Sequence, residues 1–247
     1  LKRTFLGYHR DNGAVGTENN WLIIPLVFCQ NRNVEILKKT MLDKFGYEKS
    51  VKDTYNIDEL VHKYNSGASE NELLELDLIK SSHINKNKPL FSNVDGIYFL
   101  THDGGCGGAT SDAVTLCNLL AGYINNPNIA GATVLSLGCQ HAQIKLVEKA
   151  LKRIAPNTKK PIYFLEQQQS KSEPEFLADA IKKTFTGLIQ ANKVSRAPAP
   201  LNKLTLGLEC GGSDGFSGIS ANPTLGYVSD VIVGLGGSAI LSEFPEL

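Results

Sequence analysis

Short apolar runs alternate with longer amphipathic stretches from about residue 20 onward. Apolar residues at helical spacing, such as Val34, Leu37 and Met41, predict helices that cover a sheet. The apolar runs predict six short buried strands, at residues 21–28, 97–100, 133–137, 162–165, 204–208 and 239–241. Because strands and helices alternate, the sequence predicts an α/β fold with Rossmann-like layers, in which mainly parallel sheets are covered by helices on both faces.

Two helix starts are also marked in the sequence. Ser172 with Glu175 predicts a capping box at the start of one helix. Asn222 followed by Pro223 predicts an N-cap and a first helical turn for another.

Two segments interrupt this alternation. Residues 46–92 are polar and charged and contain one short helical stripe. We expect them to form a polar helical insertion, either as a cap or as a contact between subunits of a homo-oligomer. The proline-rich segment 195–200 favours extended backbone and is typical of a connector. We therefore expect an α/β domain over residues 1–195 and the start of a second, truncated α/β unit over residues 201–247.

Charge and composition exclude several classes of partner. Lys and Arg together number 25, as do Asp and Glu, so no net charge favours nucleic acid or an anionic membrane surface. No apolar run reaches the roughly 18 residues that a membrane-spanning helix needs. The five cysteines are an odd number, and no secretory leader opens the chain, which favours a reducing cytoplasm. The expected partner is a small molecule.

Nearly every predicted strand ends next to a residue that binds metals or moves protons. In parallel sheets the carboxyl ends of the strands share one crevice, so distant residues become neighbours there. An active site in that crevice is the leading interpretation. The residues concerned are Cys29, His102, Asp103, Cys106, Cys139, Glu166, Glu209, Cys210 and Glu243.

Four of the five cysteines fall at strand ends, whereas Cys117 lies on the apolar side of a predicted helix and is expected to be buried. Thiolates at strand ends are suitable ligands for iron or zinc. There is no C-x-x-C pair, so both an iron–sulfur cluster and a single divalent ion with mixed ligands remain open.

Two glycine-rich loops also follow predicted strands. The Gly104–Gly108 loop precedes a helix, where backbone amides can stabilise a carboxylate or phosphate, although a tight structural turn would need the same glycines. It lacks the phosphate-loop and G-x-G-x-x-G patterns. The loop 209–223 is rich in glycine and hydroxyl groups and costly to order unless it contacts a ligand. Near the first residues, His9, Arg10 and Asp11 combine a base, a guanidinium and a carboxylate.

Five motifs together carry a resemblance that covers nearly the whole chain. They are residues 7–17 (GYHRDNGAVGT), 101–108 (THDGGCGG), 119–123 (LLAGY), 135–140 (LSLGCQ) and 209–223. In these motifs the chain resembles the altronate and galactarate dehydratase family, and the altronate branch most. The resemblance implies a metal-dependent hydro-lyase that removes water from a sugar acid, D-altronate, to give a 2-keto-3-deoxy acid. The implied ion is iron(II) or manganese(II), with an iron–sulfur cluster as the other form.

Side-chain chemistry then assigns roles within this expected activity. We expect His102 to act as base or acid with Asp103 orienting it, and His9 to be a further catalytic residue. The expected metal ligands are Cys29, Cys139, Cys210, Glu209 and Cys106. The expected substrate-binding residues are Arg10, Gly104, Gly105, Gly107, Ser213, Asp214 and Asn222.

Other functions remain open at this point. Glu18 is an acid where relatives that act on diacids would carry a basic residue, which disfavours galactarate. A related lyase that acts on sulfolactate shares the general pattern, so the group expelled need not be water. Two alternatives from other classes are a Rossmann-like nucleotide-binding oxidoreductase and a non-enzymatic subunit that binds a sugar acid.

Overall fold

The computed structural model describes residues 3–48, 53–81, 88–209, 211 and 214–242. The strands are β1 (Thr4–His9), β2 (Val15–Gly16), β3 (Asn20–Pro25), β4 (Asp53–Tyr55), β5 (Ile79–Ser81), β6 (Gly96–Phe99), β7 (Ile129–Ser136), β8 (Ile162–Glu166), β9 (Ala197–Pro200), β10 (Thr205–Leu208) and β11 (Ser238–Leu241). The helices are α1 (Asn31–Met41), α2 (Ile57–Asn65), α3 (Glu70–Leu74), α4 (Thr110–Asn125), α5 (Ile144–Ile154), α6 (Glu173–Ala191) and α7 (Ala221–Gly234).

The central feature is a four-stranded sheet in the order β6-β3-β7-β8, and every neighbouring pair in it is parallel. Each pair of sequential strands is joined through a helix, α4 between β6 and β7 and α5 between β7 and β8. All eight residues of β7 are buried, as expected for a strand covered on both faces. The predicted α/β fold with a parallel sheet is confirmed.

One face of this sheet packs on α4 and α5. Alternate residues of β3, Leu22 and Ile24, lie in one apolar cluster with Cys117 and Leu120 of α4 and Val147 of α5. Alternate residues of the strand point to the helices, and the apolar residues of each helix lie on the side that faces the strand. Both periodicities are visible in the sequence, which is why it predicted helices packed on a sheet.

The opposite face packs on α6 around a buried tryptophan. Trp21 is fully buried, and its indole N–H donates to Thr133 Oγ1 at 3.0 Å. The Thr133 hydroxyl in turn is 2.7 Å from that of Thr184 on α6, so the buried polar groups are hydrogen-bonded to one another. α6 begins at the predicted cap, where Ser172 Oγ accepts from the backbone N–H of Glu175 at 3.4 Å.

A small antiparallel sheet, in the order β2-β1-β9, involves the chain before β3. The proline-rich segment predicted as an extended connector is extended, and it pairs with β1 as β9. The Arg196 guanidinium lies 4.7 Å from the centre of the Tyr8 ring and donates to Asp95 at 3.1 Å. These contacts hold β9 in place.

The segment 201–242 forms a βαβ unit in which β10 and β11 are parallel and α7 is the crossover. Among the described residues of this segment, none that belongs to α7 is buried. Residues 42–90 form a separate compact unit that contains the β4–β5 antiparallel pair together with α2 and α3. Among the described residues, no helix is both long enough and apolar enough to cross a bilayer.

Candidate active site at the carboxyl ends of the strands

Loops that follow all four parallel strands meet at one edge of the central sheet, which we call the rim (residues 26–31, 100–109, 137–143 and 167–169). The glycine loop lies at its centre. Its Gly104 carbonyl accepts from the backbone N–H of Phe28 at 3.0 Å, and its Gly105 carbonyl accepts from that of Ala142 at 3.1 Å. The N–H of Gln168 donates to the Leu137 carbonyl at 3.1 Å, which joins the loop after β8. The rim therefore has the position predicted for an active site.

Only glycine fits at the centre of this rim. Gly105 has a φ of +96°, and a Cβ there would lie 2.1 Å from the carbonyl oxygen of Leu26. Gly107 has a φ of +74° but has open space around it. The glycines thus serve two purposes, close approach at Gly105 and a left-handed turn at Gly107.

His102 is held by the backbone on both sides of its ring. Its Nδ1 accepts from the N–H of Gly104 at 3.2 Å, and its Nε2 lies 2.8 Å from the carbonyl oxygen of Pro25. A ring nitrogen that accepts from an N–H cannot itself carry a proton, so Nε2 is the protonated atom. Asp103 is exposed and makes no hydrogen bond with the described residues. The described contacts that orient the ring come from the backbone, and the role of Asp103 stays a prediction.

This geometry predicts opposite tautomers for two histidines of the rim. His102 should be protonated at Nε2, whereas His141, whose Nδ1 lies 3.3 Å from the carbonyl oxygen of Gly107, should be protonated at Nδ1. Two-dimensional nitrogen NMR of histidine-labelled protein at pH 8 measures both. A proton on Nδ1 of His102 would contradict the assignment, and His141 serves as the internal comparison.

Three of the four thiols expected to bind metal lie on the rim. Cys29 is in a short 3-10 turn after β3, Cys106 is in the glycine loop and Cys139 follows β7, and all three are exposed free thiols. Cys117 is buried as predicted, and burial raises its pKa to about 11, so it remains a protonated thiol.

The described residues fit a metal ion only in part. The donors have suitable chemistry, yet no three His, Cys, Asp or Glu side chains within the described ranges lie close enough together to hold one. Cys210 lies outside the described residues, and Glu209 next to it is exposed. The predicted ligand set therefore stays a prediction.

The positive end of α4 already has a carboxylate beside it. Asp112 Oδ2 accepts from the backbone N–H of Ala109 at 3.1 Å, just after the glycine loop. The glycine loop, Asp112 and Leu116 line a cavity of about 230 Å³. Asp112 already bonds an N–H at this positive helix end and would repel a carboxylate or phosphate bound there, so the helix end is a weaker anion site than the glycine pattern suggested.

A network of buried amides, which the sequence did not reveal, connects the loops of the rim. Gln30 is fully buried, and its Nε2 donates to Gln167 Oε1 in the loop after β8. Asn33 Nδ2 donates to Gln30 Oε1 at 2.8 Å, and Gln140 Nε2 donates to the Ser136 hydroxyl at 2.6 Å. Gln30, Gln140 and Gln167 each lie two or three residues after the end of a predicted strand, and this position was the signal by which the sequence could have revealed the network. A satisfied buried network of this kind stiffens the loops that it joins.

The structure places His9 and Arg10 at the opposite edge of the sheet, which corrects the expectation that they share the crevice. Arg10 Nε donates to the carbonyl oxygen of Pro127 at 2.7 Å, and Pro127 precedes β7. His9 Nε2 lies 3.1 Å from the carbonyl oxygen of Pro198. Because the whole length of β7 intervenes, these side chains are roughly 20 Å or more from the rim.

The three expected substrate-binding residues Ser213, Asp214 and Asn222 belong to the segment after β10. Asp214 shapes its own loop, because Ser217 and Phe216 donate hydrogen bonds to its carboxylate and lower its pKa. Asn222 was expected to cap α7, but the helix begins one residue earlier, at Ala221. Among the described residues, no hydrogen bond joins Asp214 or Asn222 to the rim. Ser213, like Cys210, lies outside the described residues.

Comparison with known proteins gives one consistent family. Residues 7–192 match the second domain of D-galactarate dehydratase/altronate hydrolase, and residues 201–247 match the C-terminal domain of D-galactarate/altronate dehydratase. The chain is 32% identical over 245 residues to the altronate dehydratase of Bacillus subtilis, which is 99% of this chain and 39% of that protein.

Two proteins of Escherichia coli are also similar. The altronate dehydratase is 28% identical over 240 residues, 97% of this chain and 39% of that protein. The galactarate dehydratase (L-threo-forming) is 31% identical over 125 residues, 49% of this chain and 24% of that protein. The chain thus spans about two fifths of the length of the altronate dehydratases that it matches. On the two domain matches, which together include the glycine loop and the thiol loops of the rim, the chain belongs to the altronate/galactarate dehydratase family.

Proposed function

We propose that the protein containing this chain is a metal-dependent dehydratase that removes water from a sugar acid, D-altronate, and forms a 2-keto-3-deoxy acid. The observation that carries the proposal is the family match over residues 7–192, which includes every described loop of the rim. The proposed substrate follows from two relatives that match nearly the whole of this chain, both of them altronate dehydratases.

The charge of the rim supports the need for a metal ion. Removing a proton beside a carboxylate creates an enolate-like species whose negative charge must be stabilised. The rim carries the Asp103 carboxylate, and Asp112 follows at the start of α4, so these two carboxylates repel an anionic substrate unless a cation lies between them. The exposed thiols of Cys29, Cys106 and Cys139 are suitable ligands for such a cation. We propose iron(II) or manganese(II), held by these thiols with Glu209 and Cys210, or an iron–sulfur cluster. When bound, the metal would supply Lewis acidity.

The proton is proposed to move through His102. Its neutral ring presents an unprotonated Nδ1, which accepts only a long bond of 3.2 Å from Gly104. Exchanging that bond for a substrate C–H or O–H group would let Nδ1 take up the proton while Pro25 still holds Nε2. The buried amides Gln30 and Gln140 would keep the surrounding loops in place meanwhile.

Anaerobically prepared full-length protein, loaded with iron(II) and given D-altronate, should form a keto acid that semicarbazide detects. We expect Cys139→Ser to lower the rate about 10- to 100-fold or more, because a lost ligand weakens the metal site at least as much as a lost supporting contact. Cys117→Ala is the matched control, since Cys117 is a buried thiol of the apolar cluster on α4 and not an exposed thiol of a rim loop. Its rate should stay within about twofold.

Two outcomes would contradict the proposal. Binding of altronate without any keto acid would favour a non-enzymatic sugar-acid-binding subunit. A thermal shift caused by NAD, without turnover of altronate, would favour a nucleotide-binding oxidoreductase, which the Asp112 carboxylate at the start of α4 makes electrostatically unfavourable. We also propose a reducing cytoplasm, which is supported by the four described cysteines being free thiols.

A further inference from the structure

A second cavity, of about 230 Å³, lies at the amino edge of the central sheet, away from the rim. It lies between the end of β1, the start of β7, the turn before β8 and the end of α6. Its polar lining consists mainly of His9, Arg10, Asn12, Lys159, Lys160 and Gln190, and Ala130, Pro161 and Val194 supply an apolar wall. Typical ligand pockets have volumes of roughly 300–1,000 Å³, so this smaller cavity suits a small molecule.

Arg10 is fixed in place yet retains free donors. Its Nε donates to the carbonyl oxygen of Pro127 at 2.7 Å, and its Nη2 donates to that of Glu18 at 3.3 Å. A guanidinium carries five N–H groups. Its Nη1 makes no hydrogen bond with the residues that the structure describes. Arg10 therefore offers an oriented, unused donor to the cavity.

Lys160 is a second basic group that is fixed in this cavity. Its Nζ donates to the carbonyl oxygens of Ile124 at 3.0 Å, Asn125 at 3.1 Å and Asn126 at 2.7 Å, where α4 ends. The first two bonds satisfy carbonyls of the last helical turn. Burial, together with the nearby charge of Arg10, lowers the pKa of Lys160 to about 7.

The positive charge of this cavity is poorly compensated. Neither Arg10 nor Lys160 forms an ion pair with a described residue, and Lys159 is exposed at the opening. Asp11, which is also exposed, is the acidic residue of the lining. Arg10 and Lys159, joined by Lys160 when it is protonated, thus face one carboxylate in a partly buried space, where water screens their repulsion less than at an open surface.

We propose that this cavity binds a small oxyanion, a carboxylate or a phosphate, at a site separate from the rim. The unused Nη1 of Arg10 and the exposed ammonium of Lys159 can donate to the oxygens of such a group, whereas the N–H groups of Lys160 are already bonded to carbonyl oxygens. The apolar wall accommodates a short carbon chain. The proposal does not depend on the dehydratase activity. An anion here would link the end of β1 to the turn before β8 and so stabilise the amino edge of the sheet.

Calorimetric titration of the full-length protein with inorganic phosphate, D-altronate and the neutral polyol erythritol tests the site. Gln190→Glu places a carboxylate at the cavity without removing a hydrogen bond, because the Gln190 side chain makes none with the described residues. We expect saturable binding of at least one anion but not of erythritol, and about tenfold or more weaker binding in Gln190→Glu. Lys149→Ala, an exposed change on α5 outside the cavity, should stay within about twofold.

The titrations with phosphate and with altronate also distinguish a phosphate site from a carboxylate site. Phosphate binding that Gln190→Glu weakens, with altronate binding unchanged, would support a phosphate site and place altronate elsewhere. Altronate binding that falls with Gln190→Glu would support a carboxylate site. Absence of saturable binding by either anion, or equal losses in Gln190→Glu and Lys149→Ala, would overturn the proposal.

Discussion

Gly105→Ala is expected to lower the free energy of unfolding by about 3 kcal/mol or more and to displace the glycine loop. The new Cβ would lie 2.1 Å from the carbonyl oxygen of Leu26 and 2.7 Å from the Cα of Val27, both backbone atoms that cannot rotate away. The φ of +96° adds strain that an alanine cannot avoid. The bonds of the loop to Phe28 and Ala142 should be lost with it.

Urea unfolding measures this effect, and Gly107→Ala is the matched control. Gly107 lies in the same loop with a φ of +74°, but nothing lies within 4 Å of its added Cβ. It should lose only the conformational cost of about 1–2 kcal/mol. Equal losses of unfolding free energy at the two positions would contradict the close approach of residue 105 to the carbonyl oxygen of Leu26. If the proposed function holds, Gly105→Ala should also lose most of the altronate turnover.

Gly187→Ala is expected to destabilise the protein by about 2–3 kcal/mol, although alanine is the better helix former. The added Cβ would lie 2.0 Å from Cη2 of Trp21, whose ring is fully buried between β3 and α6. The indole cannot move without losing its hydrogen bond to Thr133, so α6 must shift instead. A close-packed core resists such a shift.

Gly122→Ala makes the comparison direct. Gly122 lies on α4, and no atom lies within 4 Å of its added Cβ. There the helical preference of alanine should stabilise the protein by about 0.5–1 kcal/mol. The two substitutions are chemically the same, so urea unfolding should report opposite signs. A stabilising Gly187→Ala would mean that Trp21 does not pack against α6 as described.

The positions of the strands followed from the sequence more closely than their ends. The first apolar run predicted a strand to Phe28, but β3 ends at Pro25 and a 3-10 turn begins at Phe28. Leu26 and Val27 are fully buried after the strand has ended, so apolar character continues where strand geometry does not. Burial and strand pairing are separate requirements, and periodicity reports only the first.

The cap of α6 was predicted correctly and that of α7 was not. Ser172 and Glu175 form the expected capping contact, which depends on residues three apart. Asn222 was expected to cap α7, but it lies inside the helix, which starts at Ala221. Pro223 is the third residue of α7, and a proline is tolerated throughout the first helical turn, so Pro223 did not fix the residue at which the helix starts.

The sequence by itself determined the α/β class, the glycine loop at a strand end, the burial of Cys117 and the family resemblance, since each depends on local spacing or on motif identity. Only the tertiary structure decided which loops meet. It placed Cys29, Cys106 and Cys139 on one hydrogen-bonded rim and His102 between Pro25 and Gly104. It also showed that Arg10 lies at the opposite edge of the sheet. The physical reason is that strand order and the edge reached by each segment depend on packing between residues far apart in the chain, which no local pattern encodes.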